Sequence, residues 1–310
     1  MKKVLFLESH RDQAISIAKY LKKSKNYELF FDEREVYEGD EEFDIIVPGG
    51  ATSTLKYVQK HGTLKFGEIK FTENNLITYD KIEMLKIVDR IGVPIPKTYT
   101  NIEDLDFFPV FFKSLREDGY NERGIIHNQN ELDKIAGSTT VFFQEYIRPK
   151  GTFAVGFVAN NGVMLTSFSQ EEIISYPYHG GSGVVLSTID DQRLIDYSKR
   201  IVKEINYSGW GLVEFKYCDK RQDYVFMEVN AKFWASIEFA FLNNPDILDL
   251  IFGLKIKTQH VKTAIYVDRM FVSNFREILR SIPYLFTAKH LKTRSISSVL
   301  KKRFFGKKKK

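Results

Sequence analysis

Two glutamates stand at matched distances from a short turn in the second half of the chain. The segments 211–217 and 224–231 are largely apolar, and the residues between them are mostly polar, which predicts two strands joined as a hairpin. If the turn centres on Arg221, the pairing places Glu214 directly opposite Glu228. Two carboxylates in that position repel each other, and among apolar neighbours they are costly to leave without a partner.

A divalent cation would remove this repulsion. Asn230 lies two residues after Glu228 and therefore projects from the same face of its strand. Two carboxylates and an amide oxygen form an all-oxygen ligand set, which suits Mg²⁺ better than Zn²⁺ and leaves room for phosphate and water ligands. The alternative is an amphipathic hairpin whose glutamates face solvent, and a one-residue change of register would separate the carboxylates.

Lys113 is the one charged residue of an apolar strand predicted over 109–114. An ammonium group there needs an anionic partner, and phosphate is a suitable one. The stretch that follows contains Gly119 and could fold its backbone N–H groups over phosphates before the chain resumes a strand at Gly124. The other interpretation of Lys113 is an edge residue, or one that extends its ammonium group to solvent.

A further apolar strand is predicted over 141–147 and ends before Arg148-Pro149. Such an exit segment can offer backbone groups and one acid, here Glu145, to a flat heterocyclic ligand. Taken alone, this segment says little about function.

The elements that hold these residues begin with a small α/β unit. Strands predicted over 3–7, 27–31 and 43–47, with a helix after the first, are typical of a parallel sheet. A Gly-Gly turn at 49–50 then opens a helix near Ser53. This turn could hold a ligand at the helix N-terminus, although such turns are more often plain connections.

The middle of the chain is predicted to be α+β, with mostly antiparallel strands. Apolar periodicity predicts helices over 80–91 and 191–205, and Gly92 followed by two prolines ends the first of them. Short strands are predicted over 109–114, 124–127, 141–147, 152–159, 163–169, 211–217 and 224–231.

Composition excludes several classes of protein. The chain has 310 residues, 43% of them hydrophobic and 28% charged, which is ordinary for a folded globular protein. A single cysteine, Cys218, excludes a disulfide scaffold or a cysteine-based zinc site and suits a reducing cytoplasm. No apolar run approaches the roughly 18 residues of a membrane span, so we expect a soluble chain.

The net charge of +6 is unevenly distributed. Residues 269–310 hold 13 Lys and Arg against one acid, a net +12, so the remainder carries −6. An apolar stripe predicts one amphipathic helix before Pro283, consisting of Phe271, Phe275, Ile278, Leu279 and Ile282. Basic residues interleaved with aromatic ones suit an anionic membrane surface; the alternative is a helix packed on the body and a solvated tail. Nucleic-acid binding is not expected, because no recognised nucleic-acid module accompanies the charge.

Seven segments in sequence order resemble the motifs of the ATP-grasp superfamily over roughly residues 74–243. They are Tyr79-Asp80-Lys81 with 92–96, then 108–113, 119–124, 144–147, 176–181, 209–215 and 226–236. Each segment is weak alone, whereas the ordered set is specific. The last segment resembles the carboxylate–amine ligases of bacterial cell-surface polysaccharide pathways.

The resemblance implies a fold of class α/β plus α+β. An N-terminal parallel-sheet domain, 1–75, would precede two ATP-grasp lobes, 76–150 and 151–265, and a basic amphipathic helical tail would follow over 266–310. ATP would bind between the lobes with Mg²⁺, for which Mn²⁺ is an acceptable substitute.

By the same resemblance, individual residues receive roles. Phosphate contacts are implied for Lys81 and Lys113, and adenine contacts are implied for Gln144, Glu145 and Ile147. Glu214 and Glu228 would bind the metal and the nucleotide, with Asn230 as a third metal ligand. Catalytic roles are implied for Lys232 and Lys113, and substrate contacts are implied for His179, Gly180 and Gly181.

The implied reaction joins a carboxylate to an amine through an acyl phosphate, and a cell-surface glycan precursor or another lipid-linked molecule is a candidate substrate. The protein would then work in the cytoplasm or at the inner face of the membrane; its oligomeric state stays open. Two departures from the family pattern leave alternatives. Lys232 stands where relatives usually have arginine, and acids at 171–172 replace basic residues, which suggests an amine-bearing substrate or a degenerate ATP-binding protein that docks on membranes or a partner. A phosphotransferase with the same fold is a third alternative.

Overall fold

The computed structural model describes residues 1–115, 122–135, 140–148, 151–177 and 181–295. The chain begins with a strand, a helix, two strands and a helix: β1 (Lys2–Leu7), α1 (Asp12–Leu21), β2 (Tyr27–Phe31), β3 (Ile45–Pro48) and α2 (Ala51–His61). The strands form a parallel sheet in the order β2-β1-β3. The apolar run of β1 supplies its centre, where Val4 and Phe6 are fully buried.

The Gly-Gly turn before α2 is filled by the chain's own carboxylate. Glu8, which is buried, accepts a hydrogen bond of 2.6 Å from the Ser53 hydroxyl, and the Ser53 oxygen in turn accepts the Gly50 N–H at 3.1 Å. A Cβ atom at Gly50 would overlap the Glu8 carboxylate. This helix N-terminus therefore already holds an anion, as the dipole of a helix favours.

A small antiparallel sheet follows. After the hairpin of β4 (Thr63–Phe66) and β5 (Ile69–Thr72), the chain forms a 3₁₀ helix (Glu73–Tyr79), α3 (Lys81–Arg90), β6 (Thr98–Tyr99), a 3₁₀ turn (Ile102–Asp104), β7 (Val110–Ser114), β8 (Arg123–Ile126), α4 (Gln129–Leu132) and β9 (Val141–Glu145). The sheet has the order β6-β9-β7-β8. One face covers a small core that includes Val110, Ile126 and Phe143, and the other carries Lys113.

The largest sheet has seven strands. In chain order, its strands and the helices that connect them are β10 (Thr152–Asn160), β11 (Val163–Tyr176), β12 (Ser182–Thr188), α5 (Gln192–Glu204), β13 (Gly209–Cys218), β14 (Asp223–Asn230), α6 (Ile237–Asn243), α7 (Asp246–Phe252) and β15 (Thr263–Tyr266). With the last strand of the chain, β16 (Lys289–Leu291), at one edge, the strand order is β14-β13-β10-β11-β12-β15-β16. Trp210 stacks on Phe233 at 4.4 Å between ring centroids in the core that joins this sheet to the N-terminal unit.

The C-terminal segment folds onto this sheet as α8 (Val267–Val272), α9 (Phe275–Ser281), α10 (Tyr284–Thr287) and β16 (Lys289–Leu291). The single helix predicted over 271–282 is wrong. Ser273 adopts an extended conformation, and the side chain of Asn274 accepts the Glu277 N–H to begin a new helix. No helix in the described residues is long and apolar enough to cross a bilayer.

Candidate active site

The hairpin of β13 and β14 places Glu214 directly opposite Glu228, so the predicted pairing of the two acids is confirmed. The register shifts by one residue on the turn side, where Phe215 pairs with Phe226. Met227 is therefore the extra residue of a β-bulge, which bends a strand and changes the direction of nearby side chains.

Asn230 lies beside both acids, as the alternation predicts. Its Nδ2 donates to Glu214 Oε1 at 2.9 Å and contacts Glu228 Oε1 at 3.4 Å. A half-turn of the amide about its Cβ–Cγ bond would present the oxygen in place of the nitrogen. The three side chains can then offer oxygen atoms to one cation.

Three lysines surround the acids. Burial opposes ionisation of Glu228, but Lys113, Lys81 and Lys232 hold the pKa of this carboxyl below its ordinary value. Within the described residues, no cluster of three or more His, Cys, Asp or Glu side chains could hold a metal. A cation bound here would accordingly have few protein ligands and would need phosphate or water to complete its shell, as Mg²⁺ usually does.

Lys113 connects the two sheets. It is buried on β7, its ammonium group donates to the Met227 carbonyl at 3.1 Å, and it lies 5.4 Å from the centre of the Phe142 ring. Burial lowers the pKa of Lys113 to about 8, with repulsion from Lys81 and Lys216 acting in the same direction and Glu228 opposing. A buried ammonium group with this cost is a suitable partner for a phosphate.

Lys216 was not predicted as a site residue. It lies two positions after Glu214 on β13, and burial lowers its pKa while Glu214 and Glu228 oppose the shift. The alternation that placed Asn230 beside Glu228 could have identified Lys216 as well, because residues i and i+2 of a strand share a face.

The three residues expected at an adenine base lie near the junction of the small sheet and the hairpin. Gln144 is buried and donates to the Thr98 hydroxyl at 3.1 Å, while its own carbonyl oxygen has no hydrogen-bond partner among the described residues. The carboxylate of Glu145 pairs with Arg221 and accepts the Lys97 N–H at 3.1 Å. The unpaired acceptor on Gln144 fits an amino group of a ligand.

Ile147 packs at the same junction. It is buried in a small cluster with Cys218 and Val225, which belong to the hairpin strands β13 and β14. The apolar side chain therefore joins the exit segment of the small sheet to the hairpin.

A cleft of about 570 Å³ extends from the hairpin to the N-terminal unit. Its lining includes Glu214, Glu228, Asn230 and Lys232 at one end. Toward the other end it is lined by Arg11, Asp12, Glu172, Tyr176, Gly181, Ser182, Gly183, Ser236 and Arg294.

Glu172 is one of two acids at that second end, together with Asp12, and the sequence marked it only as a departure from the family pattern. Burial raises the pKa of Glu172 to about 6, against a 2.8 Å hydrogen bond from the Ser175 hydroxyl and the charge of Arg269. The pairing of β11 with β12 is irregular next to Glu172, and such bulges redirect side chains beside active sites.

Arg269, which was not predicted as a site residue, holds together the residues that line this end of the cleft. It is buried, stacks on the Tyr266 ring at 3.7 Å, and donates to the carbonyls of Gly183 and Ala235 at 2.8 and 2.7 Å. It also donates to Asp12 at 3.1 Å. One guanidinium thus ties the N-terminal unit to two walls of the cleft, a role for which its five donors are suited.

Of the expected substrate loop, only Gly181 lies within the described residues. His179 and Gly180 lie outside them, as do residues 116–121 of the glycine-containing loop. Gly181 lines the cleft and donates its N–H to the Pro177 carbonyl at 2.8 Å. A Cβ atom at Gly181 would overlap the Tyr176 backbone, so glycine is required at this turn.

A comparison with protein families finds one match. Residues 168–242 match the carbamoyl-phosphate synthase L chain, ATP binding domain. The match contains Glu172 and the whole hairpin with Glu214, Glu228 and Asn230. A search of curated protein sequences finds no significant match.

Several solved structures are similar over most of the chain. An N5-carboxyaminoimidazole ribonucleotide synthetase in complex with ADP matches with a TM-score of 0.64 at 13% identity, covering 97% of this chain and 95% of that one. D-alanine–D-alanine ligase from Bacillus anthracis matches with a TM-score of 0.55 at 17% identity, covering 81% and 96%. Biotin carboxylase from Campylobacter jejuni, in an ATP-analogue complex, gives 0.58 at 15% identity, covering 84% and 73%.

The architecture is therefore the ATP-grasp fold. These likenesses show the fold alone, and this fold is the one that the sequence motifs predict. The identities of 13–17% leave reaction and substrate to be argued from the site itself.

Proposed function

We propose that the protein is an ATP- and Mg²⁺-dependent carboxylate–amine ligase, which forms an amide through an acyl phosphate. The observation that carries the proposal is the group of charges at one end of the cleft. Glu214 and Glu228 face each other beside Asn230, and Lys113, Lys81 and Lys232 all act on Glu228. This set matches what a nucleotide triphosphate and its metal require.

In this proposal the residues divide into binding roles. Glu214, Glu228 and Asn230 would hold Mg²⁺, which when bound neutralises the developing charge on the phosphates. Lys81 and Lys113 would contact phosphate oxygens, and Gln144, Glu145 and Ile147 would line the adenine base. Mn²⁺ should substitute, because it accepts the same oxygen ligands.

The first step is attack of a substrate carboxylate oxygen on the γ-phosphorus of ATP. The bond between this phosphorus and the β–γ bridging oxygen breaks, and ADP leaves. Lys232, which lines the cleft next to the metal residues, would orient the transferred phosphoryl group or the carboxylate. Holding the two reactants in line is the main contribution that a protein makes to this step.

The second step joins the amine. Its nitrogen attacks the carbonyl carbon of the acyl phosphate, the carbon–oxygen bond to phosphate breaks, and the nitrogen gives up a proton. Glu172 lines the other part of the same cleft, and its pKa of about 6 suits a carboxylate that binds an ammonium group or accepts this proton. Gly181 would form part of the loop beside the substrate, and His179 and Gly180 are proposed to belong to that loop.

We infer that the amide is made on a precursor of a cell-surface glycan, on the cytoplasmic side of the membrane. The support for this substrate class is the resemblance of residues 226–236 to ligases of such pathways. The acidic Glu172 agrees with an amine-bearing partner for the carboxylate.

A second candidate is an ATP-binding protein that does not catalyse ligation and serves as a docking module. The observation that favours it is Lys232, because a lysine lacks the two-pronged geometry with which arginine holds a carboxylate or phosphate. Nucleotide binding would then persist without turnover.

Product analysis distinguishes these candidates. We expect release of ADP and phosphate that depends on adding both a carboxylate and an amine, measured with purified full-length protein. ADP with a stable phosphorylated product and no need for amine would identify a phosphotransferase. Nucleotide binding without turnover across a broad substrate panel would favour the docking module.

A further inference from the structure

The helices α8, α9 and α10 expose a row of large apolar side chains. Five of the eleven exposed large hydrophobic residues in the described chain lie between 272 and 286. We call them the apolar row: Val272 (41% exposed), Phe275 (74%), Leu279 (49%), Ile282 (40%) and Phe286 (84%). Phe275, Leu279 and Ile282 follow each other at helical spacing and so lie along one side of α9.

The opposite side of the same helices is firmly packed. Phe271 and Ile278 contact a buried cluster that contains Ile174, Val185 and Ile265, on strands β11, β12 and β15. The apolar stripe seen in the sequence is thus divided, with two members facing the core and three facing outward. The three outward side chains therefore lie on a helix that is packed against the body, and they are not part of a hydrophobic core in the described residues.

The exposed charges of the segment that carries the apolar row have one sign. The exposed charged residues between 272 and 295 are all basic: Arg276, Arg280, Lys289, Lys292 and Arg294. The acid in this stretch, Glu277, is buried and pairs with Arg280 at 2.8 Å. In the sequence, residues 296–310 add seven Lys and Arg and no acid.

We propose that the apolar row docks the protein on an anionic lipid bilayer. Phe275 and Phe286 enter the boundary between headgroups and acyl chains, and the surrounding cations bind anionic headgroups. Apolar side chains bordered by cations without acids form the pattern of an interfacial membrane surface. An exposed row of this kind is unusual on a soluble monomer without a binding role.

This surface is close to the substrate end of the cleft. Ile174, which packs beneath α9, is two residues from Glu172, and Arg294 lines the cleft while it pairs with Asp12 at 2.7 Å. A bilayer under α9 would therefore bring a lipid-linked acceptor near the cleft. That consequence rests on the proposed function, whereas the docking itself does not.

The test is sedimentation of the full-length protein with vesicles, without nucleotide. We expect binding to vesicles that contain phosphatidylglycerol, weaker binding in high salt, and little binding to pure phosphatidylcholine. The double variant Phe275→Ser/Phe286→Ser should reduce the partition coefficient by about tenfold or more. Its matched control is Val163→Ser/Leu165→Ser, which removes exposed apolar side chains at the far end of β11 (61% and 46% exposed).

Charge variants complete the test. Arg276→Glu/Lys289→Glu should weaken binding, and the matched control Lys199→Glu/Lys203→Glu on α5 should weaken it much less. A chain that ends at residue 295 should keep binding that depends on Phe275 and Phe286.

The proposal is overturned if the wild type ignores anionic vesicles, or if the Phe variant binds them as well as the wild type does. If removal of residues 296–310 abolished all vesicle binding, the binding would belong to these residues alone, and the proposed role of the apolar row would be overturned. Binding of the protein to an acidic protein surface but not to vesicles would overturn it as well. Because ligase turnover is measured without vesicles, failure here leaves the proposed reaction standing.

Discussion

Two glutamates of the same cleft have opposite electrostatic surroundings. Glu228 is held by lysines that keep its pKa below the ordinary value despite burial. Burial of Glu172 raises its pKa to about 6, although Arg269 and the Ser175 hydroxyl act against the shift. Pairs of acids whose pKa values diverge in this way commonly have different chemical roles.

The difference indicates a division of labour along the cleft. At the hairpin end the acid stays charged at all physiological pH values, as a metal ligand must. At the other end the acid can exchange a proton near neutral pH, as a group that accepts the proton of an attacking amine must. A substrate that spans the cleft would meet a fixed charge at one end and a titratable one at the other.

The largest effect is expected for Glu228→Gln. The amide keeps the shape of the side chain but removes the charge that faces Glu214 and Lys113. We expect turnover to fall by about 10²–10³-fold, and Mg²⁺-dependent nucleotide binding, measured by calorimetry, to be lost with it.

Glu103→Gln is the matched control for this change, because Glu103 is exposed on a 3₁₀ turn away from the cleft. It should leave both measurements unchanged. If Glu228→Gln kept Mg²⁺–ATP binding at the wild-type level, the hairpin would not be the metal site.

Lys113→Met should separate function from stability. Removing a charged hydrogen-bond donor to phosphate should weaken ATP binding by roughly 10- to 100-fold. The same change removes the cost of burying a charge whose pKa is lowered to about 8, but it also removes a cation that keeps the buried Glu228 ionised, so the two effects oppose each other and the nucleotide-free protein should change in stability by less than about 3 kcal/mol. Denaturant unfolding and calorimetry measure the two effects.

The exposed lysine of the same lobe, Lys134, provides the comparison. Lys134→Met should change neither ATP affinity nor stability appreciably. A Lys113→Met protein that is destabilised and still binds ATP normally would show that the ammonium group serves the fold.

Glu172→Gln tests the role of the second acid in binding the amine. We expect the KM for the amine to rise by about tenfold, since one charge-assisted contact is lost, while ATP binding is unaffected. Its neighbour Glu171 does not line the cleft, so Glu171→Gln is the matched control in steady-state kinetics. Equal effects of the two variants would remove the amine role from Glu172.

The hairpin shows how far sequence reasoning reaches. Successive side chains of a strand point to opposite faces of the sheet, so Glu214, Glu228 and Asn230 could be assigned to one face from the sequence alone. The bulge at Met227 could not, because an extra residue in one strand leaves the apolar pattern almost unchanged. The prediction assumed a turn centred on Arg221, whereas Phe215 pairs with Phe226, one position away from that register, and the bulge at Met227 restores the alignment of the two acids.

The C-terminal segment shows where such reasoning ends. Apolar residues at helical spacing identify one face of a helix, but they do not show which of these residues are buried. Here Phe271 and Ile278 pack against the core, whereas Phe275 is exposed. Strand β16 pairs in parallel with β15 across a long connection, and three residues are too few for a pattern. Arg269 and Glu172 gained their roles only from contacts between distant segments.

The smallest effect concerns stability against pH. Because the pKa of Glu172 in the folded state, about 6, exceeds its ordinary value of 4.5, the folded protein retains a proton between these values that the unfolded chain loses. This carboxyl therefore stabilises the fold below about pH 4.5, and that contribution is lost as the pH rises through 6. Glu172→Gln should flatten this decline by roughly 1–2 kcal/mol, measured by denaturant unfolding across the window. Burial raises the pKa of Glu171 too, so the single variant should reduce the slope without abolishing it, and an unchanged slope would show that Glu172 is not titrating there.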